Sequence, residues 1–512
     1  MFQPAVMQRL EFRARLHDNE RAALAGPMPM TPTFSPSTAR LFVRGMAPAI
    51  IACLCGCFAE QSIPLTPRDV TRLEHAPRPA VSGHSTREWL ERAHVRLAGL
   101  IPATPYAALV TDELTRPDGE PRDVLKHFAV RPDDLPRLLP NFSGLRCTAQ
   151  GGSTRYFIDR PAPPWRGFDD VWIPVRPNLS LCGRIGWARD KHGRVTVANA
   201  IVILPGLFGD HGVARTRDLA MGLRACGYHV LSLEPRAHGQ TEARYPQAAC
   251  TFGVLETDEL MAVNDWLESQ PGVSRTGLIG FCWGATTALL AAWYDGRAAD
   301  DPAISPGLSR FLLSVPRERP RFEAGIIAFS PILRWEELRD RTERPRSIFF
   351  DPPTWAVQQT VRDRMRRKGY TPPDGDLGRL IEFEYQRCDL TQWVRKEEGF
   401  DFVRLLPYRA LPVGDKLEAA RTPMLVVHAS NDPLSSAQDV AHLMSRVSNP
   451  RVAALIVADG GHVGFAVHAP RHYFSLIVNY FDEQSGAAAF ERSVAAIEPP
   501  DESHSMHAGA ME

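Results

Sequence analysis

Three residue types that together can open an acyl bond recur late in this chain, each beside a turn. Cys282 stands in Gly280-Phe-Cys-Trp-Gly284, between an apolar strand-like run and a helix-like run. The pattern is G-x-S-x-G with cysteine in place of serine, a sharp strand-to-helix turn that lifts a nucleophile above a sheet. Glycines flank it because the central residue is strained and larger neighbours would collide across the turn. At a helix N-terminus the dipole and free N–H groups favour a thiolate. The plainer reading is a buried core cysteine near a helix start. Asp432 lies just past the apolar run of Val426-Val-His-Ala-Ser-Asn-Asp-Pro433, and His462 lies in a glycine-flanked turn after Ile456-Val-Ala-Asp. Singly, Asp432 reads as a helix cap and His462 as a turn residue. In the order nucleophile, acid, base they read as one constellation in which Asp432 orients His462 and His462 serves Cys282.

A fourth part is a site for the negative charge that builds on a carbonyl oxygen. Pro205-Gly-Leu-Phe-Gly209 follows an apolar strand. Gly206 turns the chain so that the Leu207 N–H faces the elbow, and the Trp283 N–H is the second donor. Losing one such donor commonly costs about 10²–10³ in rate. Asp210 and His211 follow and read as surface loop residues rather than pocket lining. His238, in Arg236-Ala-His-Gly-Gln-Thr241, reads as structural.

These residues need a scaffold that brings successive strand ends together. From about 170 the chain alternates strand-like and helix-like runs, the mark of a mostly parallel sheet. Strands are expected at Val171–Val175, Leu181–Trp187, Ala200–Leu204, His229–Leu233, Thr276–Gly280, Ala324–Phe329, Met424–His428 and Val452–Val457. Ala200-Ile-Val-Ile-Leu204 is apolar throughout, as suits a strand buried on both faces. Helices are expected near 214–226, 255–269, 286–293, 436–447 and 470–482. Residues 331–420 interrupt the alternation with charged, Pro-rich and aromatic-rich sequence and read as a cap over a site. Residues 61–165 read as a mostly helical extension without a catalytic motif. In it, Thr66-Pro67 opens a helix through Val70 and Leu73, and Ser85-Thr-Arg-Glu88 forms a capping box. The hydrolytic domain is set at 166–485, and 486–512 reads as a disordered tail.

The chain has 512 residues, with 59 basic and 59 acidic side chains and no formal net charge. A chain-wide field that would gather nucleic acid or anionic lipid is therefore not expected. The densest basic run, Arg364, Arg366, Arg367 and Lys368, reads as a solvated helix face. Past residue 60 no segment has the roughly 20 uncharged apolar residues of a membrane span. Residues 1–60 read as a leader. Two arginines, Arg40 and Arg44, precede a short apolar run ending Leu54-Cys-Gly-Cys57, the plan of a secretory signal. That ending resembles a bacterial lipobox, with Cys57 as the lipidated residue that attaches the protein to a membrane. Cys55 departs from the pattern, and so late a start implies initiation at Met28, Met30 or Met46. The remaining cysteines are scattered and show neither zinc spacing nor a dense disulfide framework. No cofactor or metal is expected.

Residues about 170–485 resemble the α/β-hydrolase superfamily. Gly460-Gly-His-Val-Gly-Phe465 and Thr251-Phe-Gly-Val-Leu-Glu-Thr-Asp-Glu-Leu260 are similar to the YheT-like branch of esterases. Cysteine at the elbow departs from that branch and is shared with dienelactone hydrolases and polyhydroxyalkanoate synthases. The resemblance implies a doubly flanked, mostly parallel sheet and action on ester, thioester or lactone bonds of a small or lipid-like acyl substrate. Transfer of the acyl group to a hydroxyl, as in an acyltransferase or polyester synthase, is one alternative. A non-catalytic surface lipoprotein is another.

Overall fold

The run Ala200–Leu204 is wholly buried, and its alternate residues serve two cores. Ala200, Val202 and Leu204 pack into one, Ile201 and Ile203 into the other. Period-two alternation between two apolar layers explains why no polar residue interrupts this run. The computed structural model describes residues 61–73, 85–102, 108–128, 144–148, 162–297, 301–302, 304, 311–347, 351–385 and 415–485, all within the unit Cys57–Glu512. The leader with Cys57, the tail 486–512 and the part of the cap at 386–414 lie outside the described residues.

Nine strands form one sheet in the order β1-β9-β8-β7-β6-β4-β5-β3-β2. They are β1 (Ala108–Val110), β2 (Asp169–Arg176), β3 (Leu179–Gly186), β4 (Ala198–Leu204), β5 (His229–Glu234), β6 (Val273–Phe281), β7 (Ile326–Phe329), β8 (Met424–Ala429) and β9 (Val452–Val457). From β5 through β4, β6, β7 and β8 to β9 the pairing is parallel, and β2, β3 and β1 add antiparallel edges. The helices longer than one turn are α1 (Thr86–Leu97), α2 (Ala214–Ala225), α3 (Gly239–Arg244), α4 (Val254–Glu268), α5 (Trp283–Tyr294), α6 (Trp335–Glu343), α7 (Pro352–Arg367), α8 (Leu377–Tyr385), α9 (Ala437–Met444) and α10 (Pro470–Ser485). Buried residues of α4, α5 and α9 join the first core, and those of α1, α2 and α10 join the second. This is the α/β-hydrolase fold that the strand–helix alternation implies. All twelve residues of α5 are buried, so the helix behind Cys282 is fixed on every side.

The extension departs from its sequence reading in two ways. First, it supplies a strand: β1 pairs antiparallel with β9, Leu109 opposite Ile456. Thr111 ties that edge further, its Oγ1 accepting the Ala454 N–H at 2.8 Å. Second, Thr66 opens only a single 3₁₀ turn, Pro67–Asp69, not a helix through Leu73. The reason is competition. The N–H groups of Thr71 and Leu73, which a helix would use, donate instead to Ser475 Oγ and Asn479 Oδ1 of α10. Ser85 does cap α1 through the Glu88 N–H, and α1 buries Trp89, Leu90, Ala93 and Leu97.

Between β7 and β8 the chain leaves the sheet and forms α6, α7 and α8. The basic run at the end of α7 is a solvated face only in part, at Arg366 and Arg367. Arg364 is 1% exposed and pairs with Glu242 of α3, and Lys368 Nζ meets the same carboxylate at 2.8 Å. Four-residue spacing puts these two cations on one helix face. A buried carboxylate below them makes that face the inner one. Arg366 keeps to the exposed face, paired with Asp363.

Candidate active site

Cys282 stands between β6 and α5 with φ 55° and ψ −117°, a conformation that side chains rarely adopt. It is held there by its neighbours. Its N–H donates to Phe329 O at 2.9 Å, while its carbonyl accepts from Ala285 and Thr286 at the start of α5. The flanking glycines are sterically required. A Cβ on Gly280 would lie 2.4 Å from Gly284 O, and one on Gly284 would lie 2.3 Å from Pro205 O. The turn therefore raises the sulfur out of the sheet on a backbone that cannot relax around it.

The loops after β8 and β9 bring the other two residues together. Asp432 Oδ2 and His462 Nδ1 are 2.8 Å apart, with both side chains buried. Asp432 Oδ1 accepts the N–H groups of Leu434 and Ser435, which fixes its plane. Among the described residues His462 Nε2 is buried without a hydrogen-bond partner, and the imidazole and the Cys282 sulfur act on each other electrostatically. The Gly461 N–H donates to Asn431 Oδ1 at 2.9 Å, and Asn431 in turn donates to Asp459, so the two loops are stitched to each other. The His462 N–H donates to Thr148 Oγ1 at 2.7 Å.

The charges of this cluster depend on one another. Burial works against ionised His462, but the Asp432 carboxylate and then the Cys282 sulfur overcome it and carry the imidazole up to about 10. Burial likewise opposes the Cys282 thiolate. The His462 charge, its side-chain contact and the Trp283 N–H outweigh that and bring the thiol below its ordinary range. Asp432 is pressed upward by burial, yet His462 holds it below the usual carboxylate range. The arrangement can store a thiolate beside an imidazolium.

Gly206 lies against the elbow: a Cβ there would meet Cys282 Cβ at 3.1 Å and Sγ at 3.7 Å. Leu207 and Trp283, the two expected donors, line one cavity with Pro205, Gly206 and His238. The loop is braced by His238, in the structural role its sequence context implies, and by residues the sequence does not single out. Phe208 has φ 61° and donates its N–H to His238 Nε2 at 2.8 Å, while His238 Nδ1 donates to Arg236 O at 2.7 Å. Burial takes His238 down to about 4, so the ring remains neutral and an acceptor for Phe208. Asp210 and His211 are not surface residues, since each is 3% exposed. The His211 N–H donates to Glu234 Oε1 and its Nε2 meets Ser232 O, so this short connection turns inward onto β5.

His428 was also missed. It is fully buried on β8 with Nε2 3.7 Å from Asp432 Oδ2, four positions before the acid. Among the described residues one group could present metal ligands, Cys182, His211 and Glu234, with ligand atoms within 4.8 Å of one another. Its donors are already engaged by the protein. Glu234 accepts backbone N–H groups from His211 and Gln240, and burial pushes the Cys182 thiol up rather than toward a thiolate.

Among curated proteins none matches the chain in sequence. Three solved structures illustrate its likenesses. The esterase Pf2001 of Pyrococcus furiosus is 17% identical over 63% of this chain and 96% of that one, with a TM-score of 0.38. The acylaminoacyl peptidase of Pyrococcus horikoshii is 16% identical over 62% and 41%, with a TM-score of 0.36. The alpha/beta hydrolase GrgF of a Penicillium species is 16% identical over 61% and 97%, with a TM-score of 0.38. The assignment to a family rests on the sequence match instead. The model of the alpha/beta hydrolase family matches residues 201–474, more than half of the 512, so the chain is an enzyme belonging to the alpha/beta hydrolase family.

Proposed function

We propose that this hydrolase cleaves carboxylic ester, thioester or lactone bonds through a covalent acyl-Cys282 intermediate. The observation that supports it is the 2.8 Å bond between Asp432 and His462, in a chain whose strained elbow carries Cys282. The Cys282 thiolate attacks the carbonyl carbon, and the carbonyl electron pair moves to an oxygen held by the Leu207 and Trp283 N–H groups. Collapse expels the leaving group, which takes the proton from His462 and leaves a thioester. His462 then removes a proton from water, the hydroxide adds, and the acid departs as the Cys282 sulfur is released.

The YheT-like likeness supports an esterase rather than a peptidase. In this chain the Thr251–Leu260 stretch builds the wall behind the elbow, with Phe252 packing 5.6 Å from Trp283. Cys282→Ala should abolish hydrolysis of short-chain aryl esters, and mass analysis of the parent should find the acyl group on Cys282. Undiminished turnover in that variant would overturn the assignment. Absence of labelling at Cys282 by iodoacetamide would favour a binding role instead.

One feature favours transfer over hydrolysis as a second reading. Trp335, from the inserted α6, packs 5.0 Å from Trp283 and helps wall the elbow with aromatic surface. Product analysis with and without an alcohol acceptor separates the two outcomes. The leader reading adds attachment to the cell envelope through a lipidated Cys57. Mass analysis of the mature N-terminus tests it.

A further inference from the structure

Three glycines let a short piece of the N-terminal extension touch both loops of the candidate triad. A helical turn at 144–148 lies against them. A Cβ on Gly144 would meet Asn431 O at 2.0 Å, one residue before Asp432. A Cβ on Gly461 would meet Gly144 O at 2.3 Å and Thr148 Oγ1 at 2.6 Å, and one on Gly464 would meet Cys147 O at 2.2 Å. These are backbone approaches that only glycine permits. They bracket His462 on both sides.

The turn they clasp is strained. Gly461 has φ 56° and Val463 has φ 60°, and the second is a β-branched residue in the left-handed region. Such a conformation persists only where its surroundings enforce it. Thr148 supplies part of that enforcement. Its hydroxyl donates to Gly144 O at 2.6 Å and accepts the His462 N–H at 2.7 Å, so both of its roles are taken and its rotation is fixed. His462 is 4% exposed, and its N–H would otherwise be a buried donor without an acceptor.

We infer that Thr148 is a positioning residue for His462, and that the extension is a working part of the active site rather than an appendage. The hydroxyl holds the main chain of the His462 turn so that one imidazole reaches Asp432 and Cys282 together. This rests on the reading of Cys282 as nucleophile. A displacement of about 1 Å at such a site can cost up to about 10²-fold in rate. Loss of a single hydrogen bond with partial relaxation should give less.

The test compares full-length parent, Thr148→Val, Thr148→Ser and Cys282→Ala. Turnover of a short-chain aryl ester is measured with the rate of iodoacetamide alkylation at neutral pH and the thermal midpoint. Thr148→Val should lower kcat about ten-fold with KM changed by less than about two-fold, and slow alkylation to match. Thr148→Ser, which keeps the hydroxyl, should restore both. If the valine variant does not fold, Thr148→Ala carries the same expectation. Turnover that needs Cys282 but is indifferent to loss of the hydroxyl overturns this inference alone, as does a serine variant as impaired as valine. Turnover that survives Cys282→Ala overturns the nucleophile assignment and this inference with it.

Discussion

The guanidinium of Arg364 lies over the ring of Phe208, 3.7 Å from its centroid, and so joins the inserted α7 to the loop beside the elbow. The same side chain pairs with Glu242. Phe208 is thereby fixed from two directions, by a cation on its ring and by His238 on its N–H.

Removing Arg364 should damage both stability and chemistry. Arg364→Met leaves Glu242 buried with Lys368 as its remaining cation, and breaking a buried pair from one side typically costs about 3–5 kcal/mol. Denaturant unfolding should show the loss, and kcat should fall as the Phe208 loop loosens. Arg364→Met combined with Glu242→Gln should recover part of the stability.

Acid should weaken this contact in a defined window. Burial opposes the Glu242 charge, but Arg364 and Lys368 more than offset it and hold the carboxyl at about 2, below its ordinary 4.5. A group depressed on folding stabilises above its unfolded value and loses that contribution as pH falls toward its folded one. Unfolding measured from pH 5 to pH 2 should decline more steeply for the parent than for Glu242→Gln.

The thiol should show its partner in an alkylation profile. Because the Cys282 thiol lies below its ordinary range beside His462, iodoacetamide should react fast at pH 7, where an ordinary thiol of pKa about 8.5 is mostly protonated. His462→Ala removes the stabilising charge and leaves burial, which raises the thiol. Its alkylation should then need a higher pH than the parent's. Coincident profiles would refute the ion pair.

Neutral His238 gives a different signature. Burial lowers it from 6.5 to about 4, so its contribution to folding is complete above pH 6.5 and is lost as pH falls through that interval. His238→Ala should flatten the stability profile between pH 6.5 and 4. It should also reduce kcat, since the Phe208 N–H loses its acceptor beside the oxyanion loop.

Much of the site can be read from local sequence because its constraints are local. The elbow needs glycine at 280 and 284 on steric grounds, and those contacts are made within a few residues or to the adjacent strand. The strand Ala198–Leu204 announces itself by the continuous apolar run Ala200–Leu204. What local sequence conceals are partners far along the chain. Arg364 has the look of a surface cation until Glu242, 122 positions away, is placed beneath it. Asp210 and His211 look like loop polarity until Glu234 and Ser232 draw His211 inward. β1 has only three residues, too few for any alternation to register.

That short strand has a consequence for how the chain is made. Thr111 and Ala454, bonded across the β1–β9 edge, are 343 positions apart. On a ribosome adding about 5–20 residues each second, the early partner emerges long before the late one. The edge strand must wait, unpaired, while nearly the whole sheet is synthesised. Pairings this distant in sequence are slow to form, so closure of this edge is expected among the last events of folding. The clasp around His462 then belongs to the same late step, and an incomplete nascent chain would hold Cys282 without its base.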